Sequence, residues 1–264
     1  MSDITCEVSG GIAEVHLARP EKLNALTLPM LLGLISTARS LARDRAVRAV
    51  VISGEGDSFC AGLDFADTFG QRNAVIKGML PRPWRGTNTF QEACWAWRRL
   101  PVPVIAAVQG HCFGGGVQIA LGADFRITAP DAKWSVLEGK WGLIPDMSGI
   151  ASLTQLIGIE QAKRLTMTAE VFSGERAHEL GLVSQVSADP HVDALVLARD
   201  LATRSPDALA AAKRLFETRW NAGPRRTFAS ERIEQVRLLT GKNAKIAREA
   251  AFKREVPAFA RRAR

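Results

Sequence analysis

Three short segments hold the residue types from which chemistry can be built. Ser58-Phe59-Cys60-Ala61-Gly62-Leu63-Asp64 follows one buried-looking apolar run, and His111-Cys112-Phe113-Gly114-Gly115-Gly116-Val117-Gln118 follows another. Each puts small residues where a strand hands over to a helix. There the first-turn N–H groups lack intrahelical partners and the helix dipole favours negative charge. Two such turns facing each other make a pair of donors for an oxygen that becomes anionic, the geometry of an oxyanion hole. Taken singly, a glycine triplet also reads as a turn or a close packing point. Neither segment fits a P-loop or a dinucleotide-binding glycine pattern. The third segment carries Glu138 and Asp146 on either side of Gly139-Lys140-Trp141-Gly142-Leu143-Ile144-Pro145, with Trp134 nearby. A carboxylate in an aromatic, water-poor pocket has a raised pKa and can exchange protons with carbon acids. On a solvated loop it would do neither.

The elements that must position these segments read as an α/β protein. Ile4, Cys6 and Val8 alternate with polar residues, Gly10-Gly11 turns the chain, and Ile12 to Leu17 follows, which predicts a hairpin. Thr27 is placed to cap a helix with Pro29 in its first turn and Leu31, Leu34, Ile35, Ala38 and Leu41 on one face. Val47 to Ile52 and Val102 to Val108 are apolar runs typical of strands buried on both faces. Phe125 to Thr128 and Trp134 to Val136 add short strands, and residues 70–86, rich in Gly and Pro, read as a mobile loop. Beyond about residue 150 the pattern is mostly helical, with Ser205-Pro206-Asp207 a good helix start and one strand from Leu182 to Val186. The division expected is an α/β core over residues 1–195 and a helical C-terminal region over 196–264.

Bulk properties narrow the function. The 264 residues are 47% hydrophobic and 23% charged, an ordinary globular mixture without a membrane-length apolar run. No secretory leader is read at the N-terminus, and Cys6, Cys60, Cys94 and Cys112 form no CxxC pair, as expected for reduced thiols in the cytoplasm. The histidines sit at no metal-ligand spacing, so no metal is expected. The net charge of +8 suits a nucleic acid, an anionic surface or a phosphorylated small molecule. Aromatic and basic residues do not interleave as a single-strand platform requires, which makes nucleic acid the remote reading. Arg254, Arg261, Arg262 and Arg264 are expected to form a frayed, solvated tail.

Together these segments resemble the crotonase superfamily, the enoyl-CoA hydratase/isomerase family. Arg19-Pro20-Glu21-Lys22-Leu23-Asn24-Ala25-Leu26 is similar to its N-terminal RPxxxNAL element, and Ser58 to Asp64 to its FxAGxD segment. Gln109 to Asp124 resembles its glycine-triplet segment, Glu138 to Gly149 its catalytic-acid loop, and Ala208 to Leu215 its late AxxxxK helix. The resemblance spans nearly the whole chain. It implies the crotonase (ClpP-like) α/β fold, stacked ββα turns with a helical C-terminal trimerisation region, assembled as a homotrimer or a hexamer. It also implies a coenzyme A thioester as substrate and no bound cofactor. The oxyanion donors carried over are the backbone N–H groups of Leu63 and Gly115. Arg19, Lys22, Ala61, Gly62, Asp64, Gly114 and Lys253 are the positions expected to meet substrate or CoA. Phe65, Phe69, Trp84, Phe90 and Trp134 are candidates to line an acyl pocket.

One position departs from the family's hydratases, which use two glutamates: the second matches Glu138, but the first is Gln118 here. An amide orients water or substrate by hydrogen bonds and cannot accept and return a proton. Asp146 resembles an aspartate of the family's dienoyl-CoA isomerases. The reading favoured is therefore a double-bond isomerase of enoyl- or dienoyl-CoA, with Glu138 as base, Asp146 as a second proton carrier and Gln118 orienting substrate or water. The alternative is an enoyl-CoA hydratase acting through Glu138; the remote one is an RNA- or polyanion-binding protein on the same fold.

Overall fold

The chain opens with the expected hairpin, β1 (Ile4–Ser9) and β2 (Ile12–Leu17), paired antiparallel from Ile4 opposite Leu17 to Ser9 opposite Ile12. Gly10 and Gly11 turn it at φ of 57° and 83°, left-handed values that glycine adopts without steric cost. A 3₁₀ turn, Pro20–Lys22, leads to α1 (Leu28–Arg43), whose first turn is capped by Thr27 accepting the Met30 N–H. Then come β3 (Ala49–Gly54), α2 (Phe65–Gly70), α3 (Arg72–Met79), α4 (Thr89–Arg98), β4 (Val104–Val108), β5 (His111–Phe113), α5 (Gly115–Ala120), β6 (Phe125–Thr128) and β7 (Lys133–Ser135). After a second 3₁₀ turn, Leu137–Trp141, follow α6 (Gly149–Leu156), α7 (Ile159–Thr168), β8 (Phe172–Ser173), α8 (Gly174–Glu179) and β9 (Gln185–Val186). Helices α9 (Pro190–Ala202), α10 (Pro206–Arg219), α11 (Pro224–Leu239) and α12 (Lys242–Lys253) complete the chain. This computed structural model describes residues 3–263, apart from the side chains of Phe69 and Arg72.

The main sheet runs β1-β2-β3-β4-β6-β9 and is parallel beyond the hairpin; β5, β7 and β8 form a smaller sheet. The expectation of strands buried on both faces is met. Val50, Ile52, Val104, Ala106 and Val108 point into the large core with Leu31, Leu34 and Ile35 of α1 and Trp97 of α4. The alternate residues Ala49, Val51, Ile105 and Ala107 pack on the opposite face against Ala194 and Ala198 of α9. The period of two along each strand thus divides one apolar run between two layers. The boundary expected at 195/196 falls inside α9.

Two expectations are corrected. Residues 70–86 are not a loop throughout: α3 and the last residue of α2 occupy about half of the segment, and its end is a braced turn. There Arg82 N–H donates to Thr87 O at 2.8 Å, and Arg85 and Thr87 donate to the fully buried Glu92 at 2.7 and 2.6 Å. Glycine and proline marked the turns without revealing the short helices between them. The basic C-terminal tail is not frayed either as far as residue 263; Arg264 lies outside the described residues. Arg262 is 1% exposed, and its guanidinium donates to Ala42 O at 3.0 Å and to Val47 O and Asp44 O, both at 3.4 Å. It thereby satisfies carbonyls left over at the C-terminal end of α1. Asn243 and Asp207 hold the backbone of the same strap through Ala260 N–H at 2.9 Å and Ala263 N–H at 2.7 Å.

Candidate active site

The two glycine-bearing segments lie side by side. Cys60 and Cys112 form a parallel bridge, with Cys60 N–H donating to His111 O at 2.8 Å and Phe113 N–H to Cys60 O at 2.9 Å. The approach is close enough to dictate side-chain size. A Cβ on Gly116 would stand 2.6 Å from Cys60 O. On Gly62, where φ is +96°, it would stand 3.1 Å from Phe113 O and 3.8 Å from Gly115 N. The glycines are therefore what lets the second backbone reach the first.

The N-terminal element buttresses this pair from below. Leu26 N–H donates to Gly62 O at 2.7 Å and Asp64 N–H to Leu26 O at 2.9 Å. In such a parallel bridge the bonds flank the facing residue, so the N–H of Leu63 itself is turned away from Leu26. No acceptor takes it among the described residues. Gly115 opens α5, where a first-turn N–H has no intrahelical partner. Asn24, fully buried at φ 56°, clamps the element by donating to Ser58 O at 2.7 Å and Glu55 O at 2.9 Å. Arg19 donates to Asp64 Oδ2 at 2.8 Å and Ala25 O at 3.0 Å. That hydrogen bond, before any other influence, holds the Asp64 carboxyl below its ordinary value, and Asp64 also caps α2.

A cleft of about 120 Å³ opens over the two donors. Ala61, Gly62, Leu63, Gly114 and Gly115 line it together with Glu138, Asp146, Leu137, Leu143, Ile144 and Met147. Phe65 and Trp141 stack at a tilt across it with centroids 4.9 Å apart. Glu138 sits in the 3₁₀ turn after β7, which packs on α7 so tightly that a Cβ on Gly139 would stand 2.7 Å from Thr166 O.

The carboxylate is unevenly served. Gln118 donates to its Oε1 at 2.6 Å, while Oε2 is buried with no partner. Burial pushes the Glu138 carboxyl up; the Gln118 bond pulls the other way, and the charge of Asp146 adds to the rise. Asp146 is likewise pushed up by burial. A base with a raised pKa, one oxygen held and the other bare, is set to take a proton from carbon beside an oxygen held by two N–H groups.

The structure gathers Leu63, Gly115, Glu138, Asp146, Ala61, Gly62 and Gly114 around one cleft. Gln118, 1% exposed, does not line it: its amide oxygen accepts Gly149 N–H at 2.8 Å and its NH2 faces Glu138. Both ends of the amide are thus bonded to the protein, one of them to the carboxylate. Asp64 and Arg19 bind each other, Lys22 is exposed on its 3₁₀ turn, and Lys253 ends α12, outside the lining. Of the aromatic candidates, Phe65 lines the cleft. Trp134 and Phe90 are core residues, the indole of Trp134 donating to Thr128 Oγ1 at 3.0 Å. Trp84 is 97% exposed at its turn, and the Phe69 side chain lies outside the described residues. Met147, packed against Gly115, and Leu143 and Ile144 were not singled out by sequence; only their place beside Asp146 pointed to them.

Comparison with known proteins agrees with this architecture. The enoyl-CoA hydratase/isomerase family profile matches residues 7–254. A 1,2-epoxyphenylacetyl-CoA isomerase of Escherichia coli (strain K12) is 35% identical over 77% of this chain and 78% of its own length. A hydroxycinnamoyl-CoA hydratase-lyase of Pseudomonas fluorescens is 31% identical over 89% and 86%. The crystal structure of an enoyl-CoA hydratase from Polaromonas sp. JS666 superposes with a TM-score of 0.88 at 30% identity, covering 97% of this chain and 99% of that one. With the crotonase-type sheet and paired glycine segments in place, the chain belongs to the enoyl-CoA hydratase/isomerase family.

Proposed function

We propose that the protein is an acyl-CoA enzyme that moves a double bond by proton transfer in enoyl- or dienoyl-CoA. The observation that carries this reading is the bare, buried Oε2 of Glu138, with Gln118 in place of a second glutamate. Glu138 removes a proton from the carbon next to the thioester or from its vinylogous position. The electron pair moves onto the thioester oxygen, which the Leu63 and Gly115 N–H groups stabilise; one such donor is typically worth about 3 kcal/mol. A proton is delivered at the other end of the conjugated system, either the same one from Glu138 or, for a dienoyl substrate, one carried by a protonated Asp146, after which Glu138 gives up its proton and Asp146 regains one through solvent. Atoms balance without a co-reactant. Ala61, Gly62 and Gly114 face the thioester, Lys22 and Lys253 are the cations assigned to the CoA phosphates, and CoA enters only as part of the substrate.

The assembly proposed is a homotrimer or a pair of trimers. Phe216 on α10, Trp220 just after it, and Phe228, Ile233, Val236 and Leu239 on α11 are each more than half exposed, an apolar face of the kind that subunits cover. A cytoplasmic setting is supported by four free cysteines, three of them buried. No helix among the described residues is long and apolar enough to cross a membrane.

The test is product analysis by mass after incubation with a 2-enoyl-, a 3-enoyl- and a 3,5-dienoyl-CoA. A positional isomer at unchanged mass is the expected product. A gain of one water from the 2-enoyl-CoA would instead make the protein a hydratase in which Glu138, alone or with Asp146 of the same cleft, activates water.

A further inference from the structure

The outer face of α1 carries Ser36, Arg39, Ser40 and Arg43 at spacings that align them on one side of the helix. Arg82, at the foot of the braced Arg82–Thr87 turn, faces the same groove of about 520 Å³. Positive charge is in excess here. Glu92 accepts from Arg85 at 2.7 Å and from Arg99 and Thr87 at 2.6 Å each, and Arg39 reaches it only at 3.9 Å. Arg43 and Arg82 have no carboxylate partner among the described residues. Two N–H groups of the cluster, Arg39 Nε and Arg82 Nη1, are shielded from water and bonded to nothing. Unpaired guanidinium donors in a shielded position are costly, and like charges gathered around them add to that cost. Burial first, and then repulsion from Arg85, Arg82 and Arg43, holds Arg39 below its ordinary value. The excess positive charge is relieved by an anion with several acceptor oxygens, held not by the two shielded nitrogens but by those that Arg39, Arg43 and Arg82 turn to the groove, since planar guanidinium forks recognise such anions well.

We propose that the groove between α1 and the Arg82–Thr87 turn binds a small phosphoanion of two or more negative charges, through Arg39, Arg43 and Arg82 with the Ser36 and Ser40 hydroxyls at its edge. The groove shares no residue with the catalytic cleft. Arg39 lies eleven positions after the start of α1, about 16 Å along the helix axis. The inference does not depend on the acyl-CoA reading.

The experiment is calorimetric titration of the whole protein with inorganic pyrophosphate at low ionic strength, with and without a saturating acyl-CoA. One saturable site per chain is expected, unchanged by acyl-CoA and weakened as salt rises. Arg39→Gln and Arg82→Gln should each weaken it about tenfold or more, the scale of one lost hydrogen bond to a charged group. Arg225→Gln, on α11, should leave it unaltered. Arg39→Gln leaves Glu92 paired with Arg85 and Arg99, so its fold is retained, which the melting temperature checks. Binding that acyl-CoA displaces and Arg39→Gln does not affect would put the anion at the catalytic cleft and overturn the proposal. So would the absence of saturable pyrophosphate binding, including the case in which single-stranded RNA binds instead.

Discussion

Gln118 ties a residue of the cleft to the start of α6: its amide NH2 donates to Glu138 Oε1 at 2.6 Å while its carbonyl accepts Gly149 N–H at 2.8 Å. The second bond fixes which way the amide faces, since a flipped amide would oppose N–H to N–H. Gln118 therefore always presents a donor to Glu138, and it favours the ionised carboxylate.

Gln118→Leu removes that donor and strands the Gly149 N–H. Because the donor pulls the Glu138 pKa down against the rise from burial, its loss sends the pKa further up. A base must be ionised to act, so the acidic limb of the kcat/KM profile moves to higher pH. Turnover on the plateau falls about tenfold, consistent with one charge-assisted bond of about 1.5–3 kcal/mol. A pH–rate profile with an unmoved acidic limb would show that the amide does not tune the base.

Glu138→Gln abolishes turnover by about 10²–10⁴-fold, the ordinary contribution of general base catalysis. It is also expected to stabilise the fold at neutral pH. The folded carboxyl titrates above its ordinary value of 4.5, so between 4.5 and that raised value the native state binds more protons than the unfolded chain. Stability falls as pH rises through that window, and a neutral amide escapes the loss. Melting temperatures of both proteins at neutral pH and again below the carboxylate range check this; the gap should close at the acidic end.

Arg262→Ala leaves the carbonyls of Ala42, Asp44 and Val47 without their donor. A cost of about 2–3 kcal/mol is expected, with kcat per folded molecule unchanged. Arg262→Lys should recover less than half of it, because a single ammonium does not span the three acceptors. Urea denaturation of the three proteins gives the comparison.

Gly116→Ala brings a methyl group to 2.6 Å from Cys60 O, where backbone must move to make room. The two donor segments separate, and the expected result is about 1–3 kcal/mol of lost stability together with a fall in kcat larger than the change in KM. Denaturation and steady-state kinetics on one preparation read both.

The sheet was legible in the sequence because its strands are apolar runs of the length that burial on two faces demands, and Val50 and Val51 do part to opposite layers. Leu63, Gly115, Glu138 and Asp146 were legible as segments, and they do meet at one cleft. What the sequence hid was direction. Nothing in the order of residues says that Gln118 turns away from the cleft toward Gly149, that Trp134 enters the core, or that Arg19 closes on Asp64. The tail was hidden for a similar reason: a run of arginines reads as solvated until the carbonyls it caps, more than 200 residues earlier, are known.

That separation has a consequence for synthesis. The contacts from Arg262 to Val47, Asp44 and Ala42 bridge 215, 218 and 220 residues. As the chain leaves the ribosome, the end of its first helix and the approach to β3 emerge early with carbonyls that only water meets until residue 262 appears. Contacts of such long range form late and slow the final closure. The nascent protein therefore passes through an extended interval in which its oldest segment is made but not yet sealed, the interval in which chaperones have most to do.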